Sequence, residues 1–461
     1  MAKQPFYPTG WCRVDLLLDD FGQSGADNLV SFQNPPIDFE VVKNAYTKAD
    51  TFRVKVDFED FPFDPRLLRG GTVQLFLGSA DGPADVGYWS RQDTAASRAQ
   101  CLMAGVVDYF EPTLDENGRV FEMKGRDYTA YFLDAELAPG DLIWSGGSGK
   151  LSIVAILESL IAQRPTTSKA LTVEDRTPGG LAAKLYPADY KQRALSDPKL
   201  SARKKRHGET IWDFIQELAL EAGLVVYVEL DRLVVAEPAT IFKGQGDPAR
   251  LIHYTLGGEV TSYKPSRKLG RQHKIAVRVA SVDTDNGKVR VAFSPKDAET
   301  KAQAIHVAGS EVGASSPKAA TQEKPPIRPF VVRGITSKAQ LQRIADQILE
   351  QLRHHEMHAQ FETHEIVDSQ GLACQGFHYG DPLVFDLAES LRSILVKPVD
   401  EQIRTLLAIG YEKATAQQIA SLSEDLRVPF YVHSLKYRAA WRSGASFTLE
   451  GEVRSRKQVE T

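Results

Sequence analysis

The sequence predicts an α+β protein that is mostly β, with two β-barrel domains and an α/β region between them. Short segments in which apolar and polar residues alternate recur near both ends of the chain, as in sheets with one wet face. Between them, residues 208–238 combine one amphipathic helix with two short β-rich runs. A chain of 461 residues is long enough for about three domains with their own cores.

The first 135 residues predict a barrel or sandwich of short strands. Its clearest strand spans 51–58, where Phe52, Val54 and Val56 share one face and charged residues occupy the other. Further alternating segments occur at 14–18, 38–41 and 72–77. Residues 79–100 are rich in Gly, Ala, Asp and Ser, which predicts a long loop of the kind that contacts a partner.

A hairpin is predicted over 102–127, with its turn at 115–118 and Gly125, Arg126 and Asp127 at its end. For Arg126 and Asp127, a surface salt bridge at a strand end is favoured over a chemical role.

The middle of the chain begins with a predicted helix at 151–163 and an insertion or extended excursion at 164–207. A second helix follows at 211–222, with Thr210 as its cap and Gly223 as its end. Two short strands then flank a turn at 229–232, and Pro238 stops the second strand.

The remainder predicts strands at 274–279 and 288–293, a linker, a helix and a closing β-rich domain. The linker, 308–329, has almost no large apolar residues, and the helix spans 337–360. The closing domain contains a strand at 376–385 around the Gly380-Asp381-Pro382 turn and a hairpin formed by 429–437 and 447–453.

This order of parts resembles the baseplate hub proteins of phage tails, the family of late-control protein D and of the hub half of type VI secretion spikes. The resemblance lies in the GVVD hairpin ending in GRD, the helix-hairpin and the GDPLVF strand. It implies tail-tube-like barrels and the following domains: 1–135, a first tube-like barrel; 136–240, an α/β region with an insertion and the helix-hairpin; 241–307, a β-rich segment; 308–329, a linker; 330–461, a helix and a second tube-like barrel.

The resemblance also implies a structural function. Three chains with two similar barrels each would present six barrel units, so that a homotrimer could join a hexameric tail tube to a trimeric central spike. The implied partners are tail tube or distal tail proteins, the spike, the tape measure protein and, transiently, DNA in the channel. A tail-associated cell-wall hydrolase and a receptor- or carbohydrate-binding tail module are the alternatives.

The resemblance further implies a virion protein of the tail baseplate that is assembled in the host cytoplasm. The formal net charge of −4 provides no overall attraction to nucleic acid, and no apolar run is long enough to span a membrane. Residues 1–8 contain one lysine and no apolar segment, so no secretory signal is expected. The three cysteines, Cys12, Cys101 and Cys374, are expected to be free, buried thiols.

Two segments resemble catalytic or binding motifs but lack their defining residues. The 145–152 segment, SGGSGKLS, is similar to a phosphate-binding loop, but Trp144 replaces the first glycine and Leu151 follows Lys150. His354 and His358 have the helical spacing of two metal ligands, but the zinc-protease motif is absent and a solvated helix end is favoured.

Two charged clusters are interpreted as solvated surface. The basic run 203–207 is best explained as a linker, and the acidic residues Asp57, Glu59, Asp60 and Asp64 as the polar side of a strand and turn. The sequence therefore predicts a protein that is not an enzyme, with no catalytic, cofactor-binding or metal-binding residue and no cofactor.

Overall fold

Nineteen strands and four α-helices make up the described part of the chain, and most of the strands belong to one continuous sheet. The computed structural model describes residues 11–18, 29–33, 38–45, 48–57, 70–78, 101–115, 118–135, 152–162, 171–180, 182, 210–222, 224–237, 241, 251–256, 258–267, 276–282, 289–296, 327–333, 338–353, 357–387, 401, 404, 407, 408, 413, 430–440 and 446–455. None of the helices within these ranges is long and apolar enough to cross a membrane.

The elements follow one another in three groups. The first is β1 (Trp11–Leu18), β2 (Leu29–Gln33), β3 (Asp38–Lys43), β4 (Thr51–Asp57), β5 (Gly71–Gly78), β6 (Cys101–Asp115) and β7 (Gly118–Asp127). The second is α1 (Ala130–Leu133), α2 (Ile153–Ala162), β8 (Thr172–Asp175), α3 (Ile211–Ala222), β9 (Val225–Glu229) and β10 (Arg232–Ala236). The third is β11 (Ile252–Leu256), β12 (Val260–Arg267), β13 (Ala276–Val282), β14 (Val289–Ser294), β15 (Ile327–Arg333), α4 (Lys338–Arg353), β16 (Met357–Thr363), β17 (Pro382–Leu387), β18 (Phe430–Ala440) and β19 (Ser446–Ser455).

The first seven strands form the first β unit, in the antiparallel order β2-β1-β5-β6-β7-β4-β3. The apolar residues at every second position of the sequence lie on one face of this sheet and form its core. Phe52, Val54 and Val56 are buried on one face of β4, as are Phe39 and Val41 on β3. The β6–β7 hairpin turns between Asp115 and Gly118, as predicted.

The second β unit is a closed barrel of six strands in the order β11-β12-β16-β19-β18-β17, with β17 pairing back to β11 and also to β18. Its core includes four aromatic side chains, each in contact with the next in the order Tyr254, Phe361, Phe385 and Phe430. The Gly380 turn before β17 has a φ of 86°, a conformation that glycine adopts without strain.

The two β units share one strand order. The first reads β1-β5-β6-β7-β4-β3 and the second β11-β17-β18-β19-β16-β12, so six strands of the first unit have an equivalent in the second, and β2 is an addition to the first. Among the equivalent strand pairs, one differs in strand direction: β1–β5 is antiparallel, whereas β11–β17 is parallel. A shared residue pair supports the equivalence: Gly125 lies opposite Phe52, and Gly451 lies opposite Phe361.

The two units join edge to edge in one sheet. β3 of the first unit pairs antiparallel with β18 of the second, from Asp38↔Ala440 to Lys43↔Leu435. We call this pairing the seam. It makes the sheet continuous from β6 to β12 through eight antiparallel strands.

The α/β region packs beside the first unit. Its three-stranded sheet, β8-β10-β9, has a core shared with α2 and α3, in which Ile156, Ile215 and Leu233 are buried. Thr210 caps α3 as predicted, since the amide of Asp213 donates to Thr210 Oγ1 over 3.1 Å while the Asp213 carboxylate accepts from the Thr210 amide. Gly223 lies outside the described residues.

A second α/β unit is inserted between β12 and β16. It consists of the sheet β14-β13-β15 with α4 packed on one face, and it has its own core around Val277, Val279 and Ile344. Gln342 on α4 donates to the carbonyl of Phe293 on β14 over 2.8 Å, which ties the helix to the sheet. We call residues 276–353 the inserted unit.

The predicted α+β, mostly β fold is confirmed, with three differences along the chain. β11 and β12, which the sequence assigned to a separate β-rich segment, pair within the second β unit. Residues 327–329 of the expected linker belong to β15. The helix predicted over 337–360 ends at Arg353, because Ala359 and Phe361 alternate into the core of the second unit as part of β16.

Candidate functional site

A small cavity lined by both charged and apolar residues lies where the two β units meet the β9–β10 hairpin. Its volume is about 60 Å³, which accommodates a few water molecules. The lining comes from three parts of the chain: Lys43, Asn44, Ala45, Lys48, Asp50, Leu102, Met103, Ala104, Asp127 and Thr129 of the first unit; Trp212, Tyr227, Val228, Glu229 and Leu230 of the α/β region; and His378 and Tyr379 of the second unit. We call this place the junction.

Two carboxylates of the first unit lie at the junction, where Asp127 is buried and Asp50 is half-buried. The amide of Asp50 donates to Asp127 Oδ2 over 3.0 Å, and the amide of Thr129 donates to Asp127 Oδ1 over 2.9 Å. The Asp50 carboxylate accepts from the amide of Asn44 over 2.6 Å. Burial raises the pKa of Asp127 to about 6 and, with the charge of Asp127, raises the pKa of Asp50 well above its usual value.

Lys43 links the first unit to the second. Its Nζ donates to the carbonyl of Phe377 over 3.3 Å and lies 5.7 Å from the ring centroid of Tyr437. Burial lowers the pKa of Lys43, and the nearby carboxylates of Asp50 and Glu229 counteract that effect. A lysine at the end of β3 thus fixes the position of the loop that precedes β17.

Glu229 brings the hairpin into the same network. Its Oε2 accepts from Arg176 Nη1 over 2.6 Å, and its Oε1 lies 3.7 Å from His378 Nε2. Arg176 also binds Glu174, which pairs with Arg232 on β10. The junction therefore connects both β units and the α/β region through partly or fully buried charges.

The junction offers little room for a bound molecule. Ligand pockets usually have volumes of about 300–1,000 Å³, far above the volume of about 60 Å³ at the junction. The buried thiols of Cys101 and Cys374 have raised pKa values because burial disfavours the thiolate. Among the described residues, no group of three or more His, Cys, Asp or Glu side chains is placed to hold a metal ion.

The two residues at the end of the predicted β6–β7 hairpin have different environments. Arg126 Nε and Nη2 bind the two oxygens of Asp108 over 2.6 and 2.8 Å, and Nη2 also reaches Asp134 over 2.7 Å. Arg126 thus makes a strand-end ion pair, whereas Asp127 turns inward to the junction.

The other residues that the sequence singled out do not converge on a site within the described ranges. His358 lies in β16, beyond the end of α4, so it does not share a helix with His354, which is outside the described residues. His364 Nδ1 is 2.9 Å from the carbonyl of Phe447. Ser152 Oγ accepts from the amide of Ala155 at the start of α2. Outside the described residues lie 79–100, 145–151, 203–207 and the acidic positions 59, 60 and 64.

Sequence reasoning missed the junction because its members are far apart in the chain. Lys43 and the carbonyl that it binds are separated by 334 positions. Each charged residue lies at a strand end or in a turn, where exposure to solvent is the ordinary expectation. Only the strand pairing reveals that these ends meet.

A second candidate surface is the polar face of the continuous sheet. At the seam, Glu40 binds Lys436 and Arg438 over 3.0 Å each, and Arg438 also binds Glu450 over 2.9 Å. Within the first unit, Arg53 donates to Glu122 over 2.8 Å. This face carries both signs of charge across several strands.

Comparison of the sequence with protein-family models and with curated proteins finds no match. Comparison of the fold with solved structures does find matches. The tail protein of Neisseria meningitidis MC58 superposes with a TM-score of 0.52 at 12% identity, covering 96% of this chain and 96% of that protein. The 43 kDa tail protein of prophage MuSo2 from Shewanella oneidensis superposes with a TM-score of 0.52 at 11% identity, covering 96% and 98%.

Both matches extend over nearly the whole of each chain, so they include the two β units as well as the α/β parts. The chain therefore has the fold of these two tail proteins.

Proposed function

We propose that the chain is a structural baseplate hub of a phage tail, a trimeric adaptor that joins the hexameric tail tube to the trimeric central spike. The observation that carries this proposal is the pairing of two β units with one strand order, edge to edge, within a single chain. The similarity in fold to two tail proteins supports placing it in a virion tail.

Two β units in each chain allow a threefold ring to match a sixfold tube. A ring of three copies contains six β units, which alternate between the first and second kind. One rim of such a ring offers six similar positions to a hexameric tube, and features unique to one unit, such as the inserted unit, repeat only three times. A threefold particle thereby meets a sixfold one without a mismatch in the number of contacts.

The polar face of the continuous sheet is proposed to line the channel for the tape measure protein and, later, DNA. Its charges are balanced between Arg or Lys and Glu, as at the Glu40–Arg438 and Arg53–Glu122 pairs. A lining with mixed signs holds water and avoids strong attraction to phosphate groups. DNA contact on such a face would be transient.

The proposed partners are tail tube or distal tail proteins at the sixfold rim and the spike at the opposite end. The proposed location is the tail baseplate of the virion after assembly in the host cytoplasm.

The mass of the purified protein by light scattering and its symmetry by electron microscopy test the proposal. A three-chain ring with a central channel is expected, whereas a monomer at high concentration would contradict it.

A non-enzymatic role is part of the proposal. The small volume of the junction and the inward, hydrogen-bonded carboxylates support it. A zymogram on peptidoglycan should show no cleared zone with the wild-type protein. A cleared zone that persists in repurified protein would favour a tail-associated hydrolase instead.

A further inference from the structure

Two strand edges at the ends of the eight-strand sheet lack a strand partner within the described ranges. β6 pairs with β5 as far as Val106, and no described strand covers its outer edge from Asp108 to Asp115. β12 pairs with β16 on one side, and on its other side the described residues give it a single pairing with β11, at Val260. Open edges present backbone N–H and C=O groups to another chain.

The seam is a template for how these edges pair. By the equivalence of the two units, β12 corresponds to β3 and β6 corresponds to β18. β18 pairs with β17 at its start and with β3 along its second half. β6 likewise pairs with β5 at its start, but its second half has no counterpart of β3 among the described residues.

We infer that the second half of β6 pairs with β12 of a second copy of this chain, in the register of the seam. The inference rests on the proposed trimer, because it assigns the contact between neighbouring copies in the ring. It also accounts for strand direction. Seven antiparallel pairings connect β6 to β12 within one chain, so β6 and β12 point in opposite directions. A β6 strand placed beside the β12 strand of the next copy would therefore be antiparallel to it, as are all the other neighbours from β6 to β12.

The register on β12 follows from the glycine–phenylalanine pairs. Val41 on β3 lies opposite Phe52, and Tyr263 on β12 lies opposite Phe361. Because Phe52 and Phe361 are equivalent, Tyr263 occupies on β12 the place of Val41 on β3.

The register on β6 follows in the same way. Tyr437 on β18 lies opposite Leu449, and Phe110 on β6 lies opposite Met123. Leu449 and Met123 each precede the glycine of their strand by two positions, so Phe110 corresponds to Tyr437. Since Val41 faces Tyr437 in the seam, Phe110 faces Tyr263 of the second copy.

This register is chemically consistent. It places the exposed Lys264 opposite Tyr109, which is 69% exposed, and diagonally next to Glu111. A lysine there meets an aromatic ring and a carboxylate. Pro112 and Pro265 lie on opposite sides of the Phe110–Tyr263 pair. A register shifted by two residues in one direction would place these prolines opposite Tyr263 and Phe110.

Cysteine crosslinking of the full-length protein tests the register. Directly opposite residues in antiparallel strands have Cα atoms about 4.5–5.5 Å apart, a separation that a disulfide spans. The test variant is Tyr109→Cys with Lys264→Cys. The matched control is Thr113→Cys with Lys264→Cys, which is offset by four residues or about 13 Å. The native cysteines, Cys12, Cys101 and Cys374, are buried.

After mild oxidation, the test variant should form disulfide-linked species of two and three chains on a denaturing gel, about tenfold more than the control or either single variant. Light scattering is measured on the same samples. A three-chain particle without preferred crosslinking of the test pair would overturn the inferred register and leave the proposed function intact. A single-chain particle would contradict both.

Discussion

Glu122 and Asp127 lie on the same strand, β7, in opposite electrostatic environments. The hydrogen bond from Arg53, with a further one from Lys124, holds the pKa of Glu122 down at about 2. Burial raises the pKa of Asp127 to about 6. The two acids therefore make contributions to stability that change with pH in opposite directions.

Glu122→Gln should destabilise the fold more at neutral pH than in acid. A folded-state pKa below the usual 4.5 means that the carboxylate stabilises the fold above that value and loses this contribution as pH falls toward 2. The expected loss in the free energy of unfolding at pH 7 is about 1 kcal/mol. Denaturant unfolding at pH 7 and pH 3 measures it, and an equal loss at both values would contradict the assignment.

Asp127→Asn should show the reverse dependence. A folded-state pKa above the usual 3.8 means that the wild-type protein loses stability as pH rises from about 4 through about 6. The variant lacks this titration, although its amide group matches only one of the two backbone donors. It should be less stable than wild type at pH 4, and the gap should narrow by about 1–3 kcal/mol at pH 7. A gap that widens would refute the buried, ionisable Asp127.

Single residues were predictable where their role is local. Thr210 was identified as a helix cap because the cap lies next to its helix, and Arg126 was recognised as part of an ion pair at a strand end. The inward direction of Asp127 was not foreseen, because it depends on Asp50, which lies 77 positions away.

The glycine–phenylalanine pairs set how closely strands approach in each β unit. A Cβ on Gly451 would lie 2.1 Å from the ring of Phe361. A Cβ on Gly125 would lie 2.6 Å from the ring of Phe52 and also 1.9 Å from the carbonyl oxygen of Val106. Each glycine leaves room for the phenylalanine ring of the neighbouring strand. Gly125 also faces the carbonyl oxygen of Val106, a backbone atom that a smaller side chain at position 52 cannot move.

Gly451→Ala should therefore be rescued by a smaller partner, while Gly125→Ala should not. We expect Gly451→Ala to lower the free energy of unfolding by about 1–3 kcal/mol, and Phe361→Leu in the same chain to recover part of the loss. Phe52→Leu should recover less in Gly125→Ala. Double-mutant cycles on the two pairs measure the coupling, and equal rescue at both sites would contradict the backbone contact.

Elements with a strong local pattern were the predictable ones. The helix-hairpin combines an apolar helix face, a cap and two β-branched runs, and it forms as α3, β9 and β10. The end of α4 was misplaced because Met357 to Gln360 have no local signal against a helix. Their strand pairing is with β12 and β19, which no local pattern reveals.

At the scale of the molecule, the inserted unit should be removable. Arg267 at the end of β12 lies directly opposite Met357 at the start of β16, and the inserted unit has a separate core. Replacing residues 268–356 by Asn-Gly would close these strands as a two-residue hairpin. The variant should keep a cooperative β-sheet unfolding transition and the three-chain mass, with a small loss from the contact between α3 and α4.

Circular dichroism and light scattering check this expectation against the full-length protein. Loss of cooperative unfolding would show that the second β unit needs the inserted unit. Loss of the trimer alone would place an inter-chain contact there rather than along β6 and β12.

The duplicated architecture illustrates the limit of sequence reasoning. The fold class was predictable from alternation and element order, but the equivalence of the β units rests on strand pairing. In the sequence it leaves only scattered traces such as Gly125 with Phe52 and Gly451 with Phe361. The junction was invisible for the same reason, since it exists only once the two units share a sheet.

The seam also affects how the ring would assemble. Half of the six contacts between neighbouring units are made within one polypeptide, so their formation is independent of protein concentration. The amount of complete ring then varies with the third power of the concentration of free chains. If the six units were separate proteins, it would vary with the sixth power of their concentration. A component needed in only a few copies per particle can thereby assemble when it is scarce, while tube subunits made in large numbers have no comparable need for a covalent link.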